Sequence, residues 1–339
     1  MEILAAIVTT CYNRRAFLPE SVKSSLAQRC NFPFAIILCD DGSTDGTREL
    51  CAEYAAAQQN VNGQIYNDNA QIFDITDGVH RGVALNAYHC AKYALSLGAK
   101  FIIHLDSDDI FADSHYLARG VEYLQNNLDC VACYADYFTI DEHDTYASAV
   151  KKMADMGFAE SSRACSYAKT DTAFEKLLSK NNTIAAGSVL YRATLMEPEF
   201  FEKFNQPFVA QDIPQWLYLS QFGYFAVSPA KLFAYRVQGE SECHSADYAK
   251  IERFQKGCID MRNHFVDYLL EKKSIDSQRA ARLKRDVERL YHSKMLRISA
   301  KLAPKSYFKV VASALKRYPS LLCSGNLYRS IAVWVKNLF

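Results

Sequence analysis

The stretch FAIILCDDGSTDGT, Phe34 to Thr47, decides how this chain is read. Six apolar residues run unbroken from Phe34 to Cys39, the pattern of a strand covered on both faces. Acidic, glycine and hydroxyl residues follow at once, and Thr47 to Ala57 then takes helical spacing at Leu50, Cys51 and Tyr54. Strand, polar turn and helix in succession form the repeating unit of a parallel sheet with helices on its faces. Ligands of such sheets bind beyond the carboxyl ends of the strands, where Asp40 and Asp41 stand ready to accept from a base N–H or a ribose hydroxyl. Turns and helix caps use the same residue types, and this segment alone leaves the two readings level.

The unit repeats on both sides. Ile3 to Thr9 reads as a buried strand, followed by a helix with Val22 and Leu26 one turn apart. Ala84, Ala87, Tyr88, Ala91, Ala94 and Leu95 mark a third helix, and Phe101 to Leu105 a third strand. Between them, the polar span Asn60 to Arg81 reads as a long surface loop or small excursion. Ala186 to Arg192 and Phe225 to Arg236 are further strands, around a helical patch at Ile213 to Gln221. The expected class is α/β, with a mostly parallel central sheet flanked by helices.

Two more constellations carry chemistry. In His104-Leu-Asp-Ser-Asp-Asp109 the carboxylates of Asp106, Asp108 and Asp109 follow a buried strand and repel one another unless a cation sits among them. Hard oxygen ligands suit Mg²⁺ or Mn²⁺, which can also bridge diphosphate oxygens; the plainer reading is a solvated acidic turn. In Ala210-Gln-Asp-Ile-Pro-Gln-Trp216, Asp212 precedes an apolar helix. An acid there serves equally as a first-turn helix residue or as a general base toward an acceptor hydroxyl. Neither a G-x-G-x-x-G after a strand nor a G-x-x-x-x-G-K-[ST] occurs, which removes the main support for dinucleotide and P-loop chemistry.

Six segments in order resemble the family-2 glycosyltransferases of the GT-A fold: VTTCYNRRAFLPESVKSSLAQ, AIILCDDGSTDGT, IIHLDSDD, AAGSVLYR, AQDIPQW and LFAYR. The resemblance runs from about Ile3 to Ser245. It implies that Thr10 and Tyr12 line a nucleotide pocket and that Asp41, with Asp40 beside it, reads the base. Asp106 and Asp108 correspond to a D-x-D motif that holds ribose and metal, with Asp109 as an alternative ligand. Asp212 takes the place of the catalytic base of inverting members. The implied reaction is metal-dependent, with Mn²⁺ or Mg²⁺, and moves a sugar from a nucleotide diphosphate donor, UDP by family habit, to a glycan or lipid-linked acceptor.

The departures are specific. Leu85 stands where relatives often carry an arginine near the donor phosphates, and Arg81 is the candidate substitute. Gln238 stands where relatives often have a metal-binding histidine, and His244, six residues on, is the candidate replacement. Gln211 replaces a common glutamate beside the base. Two other function classes compete: a metal-dependent nucleotidyltransferase, and a degenerate, non-catalytic nucleotide-sugar-binding protein.

Composition sets the organisation. Residues 246–339 hold 20 Lys/Arg against 8 Asp/Glu, while the 245 before them hold 19 against 30. The charge shift divides a catalytic domain, 1–245 (donor half about 1–110, acceptor half about 111–245), from a basic helical appendage, 246–339. From Lys301 onward there are seven Lys/Arg and no acid, interleaved with Tyr307, Phe308, Tyr318, Tyr328, Trp334 and Phe339. That mixture suits an anionic membrane surface; a solvated helical cap has the same composition. No nucleic-acid motif accompanies the charge. The short apolar run after Glu2 lacks the features of a signal peptide, so the expected location is cytoplasmic, with peripheral attachment to the membrane's inner face. The eleven cysteines sit mostly in apolar runs and read as buried thiols.

Overall fold

Uninterrupted apolar runs become the central strands because both faces of the sheet are covered. A computed structural model describes residues 2–58, 60–61, 64–65, 68–158, 167–170, 174–179, 184–238 and 245–337. The strands are β1 (Ala5–Cys11), β2 (Phe34–Asp40), β3 (Asn60–Val61), β4 (Gln64–Ile65), β5 (Ala70–Asp74), β6 (Phe101–His104), β7 (Ile110–Phe111), β8 (Cys130–Ile140), β9 (Ala168–Thr170), β10 (Val189–Arg192) and β11 (Tyr224–Arg236). The main sheet runs β5-β2-β1-β6-β10-β8-β11-β7, with β9 also on β11. β5, β2, β1 and β6 are mutually parallel. β10 enters antiparallel to both β6 and β8, so β8 and its parallel neighbour β11 point the same way as β1. The carboxyl ends of β1, β2, β6 and β11 therefore share one edge of the sheet.

The α-helices among the described residues are α1 (Leu18–Leu26), α2 (Thr47–Ala57), α3 (Val83–Ser96), α4 (Tyr116–Asn126), α5 (Tyr146–Asp155), α6 (Phe174–Ser179), α7 (Glu199–Phe204), α8 (Asp212–Leu219), α9 (Tyr248–Glu271), α10 (Ser277–Leu302), α11 (Tyr307–Arg317) and α12 (Gly325–Lys336). α1 opens with Pro19 in its first turn, where a missing N–H costs nothing, and buries Leu18, Val22 and Leu26. The core beneath it joins Ile7, Ile36, Leu38, Ile103, Phe111 and Leu190 from successive strands. The third helix is longer than its alanine spacing shows and starts at Val83.

One expectation needs correction. The span Asn60 to Arg81 reads as loop, yet Ala70–Asp74 pairs in parallel with Phe34–Leu38 as the sheet's edge. Its sequence, AQIFD, alternates burial rather than running apolar, as a half-covered edge strand does. Of the cysteines, nine lie among the described residues, all as free thiols and seven of them buried, including Cys130 and Cys133.

Two compact units emerge: Met1–Ala173 with Thr183–Val237, and Phe174–Asn182 with Gln238–Phe339. The first holds the sheet. The second is helical; Asp247, Asp276 and Ser324 cap α9, α10 and α12 through their side chains. Leu296, Ala314, Leu321 and Leu327 form a core between α10, α11 and α12. Among the described residues no helix is long and apolar enough to cross a membrane.

Gly223 precedes β11 where the backbone leaves no room: a Cβ there would lie 2.1 Å from the Asp129 carbonyl oxygen. That carbonyl accepts the Tyr224 N–H at 3.0 Å and starts the β8–β11 pairing. Gly223→Ala should lower unfolding free energy by about 1–3 kcal/mol, as overpacking does. Urea denaturation checks it; an unshifted midpoint would mean that the turn relaxes.

Candidate active site

The shared carboxyl edge of β1, β2, β6 and β11 gathers the polar residues, because each strand stops where its apolar run stops. Asp40 and Asp41 follow one another on an extended chain and so point opposite ways. Asp40 is fully buried, and its carboxylate accepts the backbone N–H of Gly42 at 3.0 Å and of Ser43 at 2.9 Å, and the Ser43 hydroxyl. This is turn chemistry. Asp41 instead reaches across to the approach of α3, accepting the N–H of Arg81 at 2.6 Å and of Gly82 at 2.9 Å. The His80 ring lies 3.1 Å from its Oδ2. Tyr12, half exposed just past β1, sets its ring centroid 5.4 Å from that of His80. Asp41, His80 and Tyr12 thus lie side by side past the ends of β1 and β2. Thr10 pairs with Cys39 within the sheet. The Arg81 guanidinium is engaged by Asp77, four residues earlier in the loop before α3.

After β6 the acidic residues separate by role. Asp109 is buried and accepts the Arg236 N–H at 2.8 Å, tying the end of β11 to this loop. Burial first, then the charges of Asp108 and Asp106, push its carboxyl well above the ordinary range. Arg236 itself is buried: its Nε donates to the Asp108 carbonyl at 2.7 Å, and its other nitrogens donate to the carbonyls of Asp141 and Asp144. Its guanidinium also lies over the Phe17 ring, 5.0 Å from the centroid. Asp108 and Asp106 remain partly exposed. Asp108 meets the Arg14 Nε at 3.1 Å. The Asp106 carboxyl is pushed up to about 7 by burial, then by the charges of Asp108 and Asp212, with Arg14 pulling the other way. The charge of Asp212, 106 residues away in sequence, thus lies near enough to act on the Asp106 carboxyl.

A buried polar cluster fixes this approach. His104, the last residue of β6, has Nε2 2.9 Å from the Tyr191 hydroxyl of β10. Gln215 of α8 donates to that hydroxyl oxygen at 3.2 Å, and its amide nitrogen lies 3.3 Å from His104 Nε2. Burial holds the His104 pKa down to about 4, so the ring is neutral. These three residues join the strand before Asp106 to the helix that begins at Asp212. The Tyr88 hydroxyl adds a bond to the Gln211 carbonyl at 3.2 Å, and the Asp212 Oδ1 accepts the Ile213 N–H at 2.7 Å.

The donor set that could hold a cation is Asp106 with Asp108, hard oxygens crowded by like charge. Among the described residues no trio of His, Cys, Asp or Glu side chains converges as a protein-only metal cage. Two carboxylates fit a Mg²⁺-type ion that takes its remaining ligands from water and substrate phosphates. His244 lies outside the described residues. Sequence reasoning gave no role to Arg14, His80, Tyr191 or Gln215; all but His80 lie inside the segments that carry the resemblance, and Arg14 stands three residues past the end of β1.

A mostly parallel sheet with acids gathered past its carboxyl edge and a further acid at the start of a neighbouring helix is an arrangement of the GT-A type. Residues 6–182 match the sequence model of glycosyl transferase family 2, more than half of the chain, which therefore belongs to that family. It is 25% identical over 244 residues to the uncharacterized protein Rv1520 of Mycobacterium tuberculosis, covering 71% of this chain but only 61% of that one. It is 26% identical over 217 residues to the UDP-Glc:alpha-D-GlcNAc-diphosphoundecaprenol beta-1,3-glucosyltransferase WfgD of Escherichia coli, covering 64% of this chain and 69% of WfgD. The crystal structure of S. aureus TarS 1-349 with UDP-GlcNAc shares the fold at 12% identity and a TM-score of 0.50, over 93% of this chain and 89% of that one.

Proposed function

We propose that the chain transfers a sugar from a nucleotide diphosphate sugar, a UDP-sugar, to a hydroxyl of a glycan or lipid-linked saccharide in surface polysaccharide biosynthesis, with inversion at the anomeric carbon. The observation that carries this reading is the pair of partly exposed acids Asp106 and Asp108 after β6, with the charge of Asp212, at the start of α8, near enough to act on the Asp106 carboxyl. WfgD, by its name, uses UDP-Glc, and TarS was solved with UDP-GlcNAc.

The base of the donor stacks on the exposed Tyr12 ring, beside His80, and is read by Asp41. The diphosphate lies toward Asp106 and Asp108, which would hold Mn²⁺ or Mg²⁺. That ion, when bound, supplies positive charge to the departing diphosphate. Asp212 accepts the proton of the acceptor hydroxyl as its oxygen attacks the anomeric carbon from the face opposite the leaving group. The neutral His104, with Tyr191 and Gln215, holds α8 so that this carboxylate meets the donor at a fixed distance, which is where most of the rate gain of positioning arises.

The test is a panel of nucleotide sugars with Mn²⁺ and glycan or lipid-linked acceptors, reading nucleoside diphosphate release and, by calorimetry, UDP binding. The expected result is Mn²⁺-dependent release from one donor. Pyrophosphate release from a nucleoside triphosphate, or no binding of any nucleoside diphosphate, overturns the reading.

A further inference from the structure

We infer that the outer face of the C-terminal helices is a docking surface for an anionic lipid bilayer. This does not depend on the catalytic reading. α12 turns Leu327 and Ser330 inward, and its Trp334 indole donates to the Pro304 carbonyl at 2.9 Å. A helix anchored in this way ordinarily shows polar residues on its other side. α12 instead presents Tyr328, Ile331, Ala332 and Val335, which share an arc of about 100° at 3.6 residues per turn. Tyr328 is 63% exposed, Ile331 41% and Val335 44%. Phe308 of α11, 62% exposed, lies against Trp334 with ring centroids 4.7 Å apart, and so extends the apolar surface onto a second helix.

Charge selects the occupant. After Glu288 the chain has ten Lys/Arg and no acidic residue. Arg317 pairs with Glu288, whereas Lys305, Lys309, Lys316, Arg329 and Lys336 make no ion pair among the described residues and are exposed. Arg329 and Lys336 border one edge of the α12 stripe at about 3.6 residues per turn; Lys305 and Lys309 lie close to Phe308 in sequence. Apolar side chains rimmed by uncompensated basic ones match a surface with phosphate above and hydrocarbon below. A second copy of the same face would set like charges together, which disfavours it.

The test is flotation of the full chain with vesicles of phosphatidylcholine alone and with phosphatidylglycerol added. The expected result is binding to the anionic vesicles, weakened about fivefold for each basic residue removed in a Lys305→Gln, Lys309→Gln, Lys316→Gln series. Ile331→Ser with Val335→Ser should weaken it about tenfold or more, with an unchanged thermal melt showing that the bundle is intact. Equal binding to both vesicle types, no vesicle binding, or a stripe variant that dissolves a dimer in sedimentation velocity while vesicle binding stays constant would each overturn the proposal.

Discussion

Asp212→Asn should lower kcat by about 10²- to 10⁴-fold, the usual contribution of a positioned general base, while nucleotide diphosphate binding is retained. The substitution keeps the shape of the side chain and its oxygen, so the bond to the Ile213 N–H survives. The bonds of Gln215 to Tyr191 and of Tyr88 to the Gln211 carbonyl anchor α8 through other groups. What disappears is a proton acceptor and one negative charge near Asp106. Losing that charge removes repulsion from an incoming diphosphate, so UDP affinity should hold or improve. A merely structural Asp212 predicts the reverse pattern: weaker binding, a lower melting temperature and little loss per folded molecule. Measuring kcat beside UDP affinity separates the two, and near-normal turnover would remove Asp212 from the base role.

The strands that bear the site were legible because parallel central strands advertise themselves as apolar runs, and each run ends where its polar loop begins. The edge strand Ala70–Asp74 was hidden because one-sided cover leaves it short and mixed, with Gln71 and Asp74 among its five residues. Within the site, residue type was readable and role was not. Asp40 and Asp41 look alike on paper, yet chain alternation sends one into a turn and the other across to Gly82. Asp106, Asp108 and Asp109 look like one cluster, yet Asp109 is taken up by the end of β11. Partners such as Arg14 with Asp108, or His104 with Gln215, are separated by 94 and 111 residues. Nothing local in the sequence marks such pairs, because the sheet order that joins them is set by packing. The second unit shows the same limit: its basic composition is visible from residue 246, but Phe174, whose ring packs on Phe265, belongs to it as well.

Asp108→Ala should abolish Mn²⁺-dependent turnover, a loss of about 10³-fold or more for a group that stabilises transition-state charge in a protected site. Two explanations of such a loss must be told apart, since Asp108 also pairs with Arg14 at 3.1 Å. If Asp108 served only to hold Arg14, then Arg14→Ala would reproduce the defect. The pair is 27% exposed on the arginine side and 19% on the aspartate side, and a partly solvated pair of this kind contributes roughly 0–1 kcal/mol to stability. Neither substitution should therefore unfold the protein. The expected pattern is a Mn²⁺-induced thermal shift with UDP that vanishes in Asp108→Ala and persists in Arg14→Ala, where a positive group near the diphosphate is lost but the carboxylates remain. In Asp108→Ala, Arg14 loses its carboxylate partner while Asp106 loses one of the charges that raise its pKa, so UDP alone should bind no worse than before. Metal-dependent turnover surviving in Asp108→Ala would place the cation elsewhere. Equal loss in the two variants would mean that the ion pair, and not a bound metal, is what the aspartate supplies.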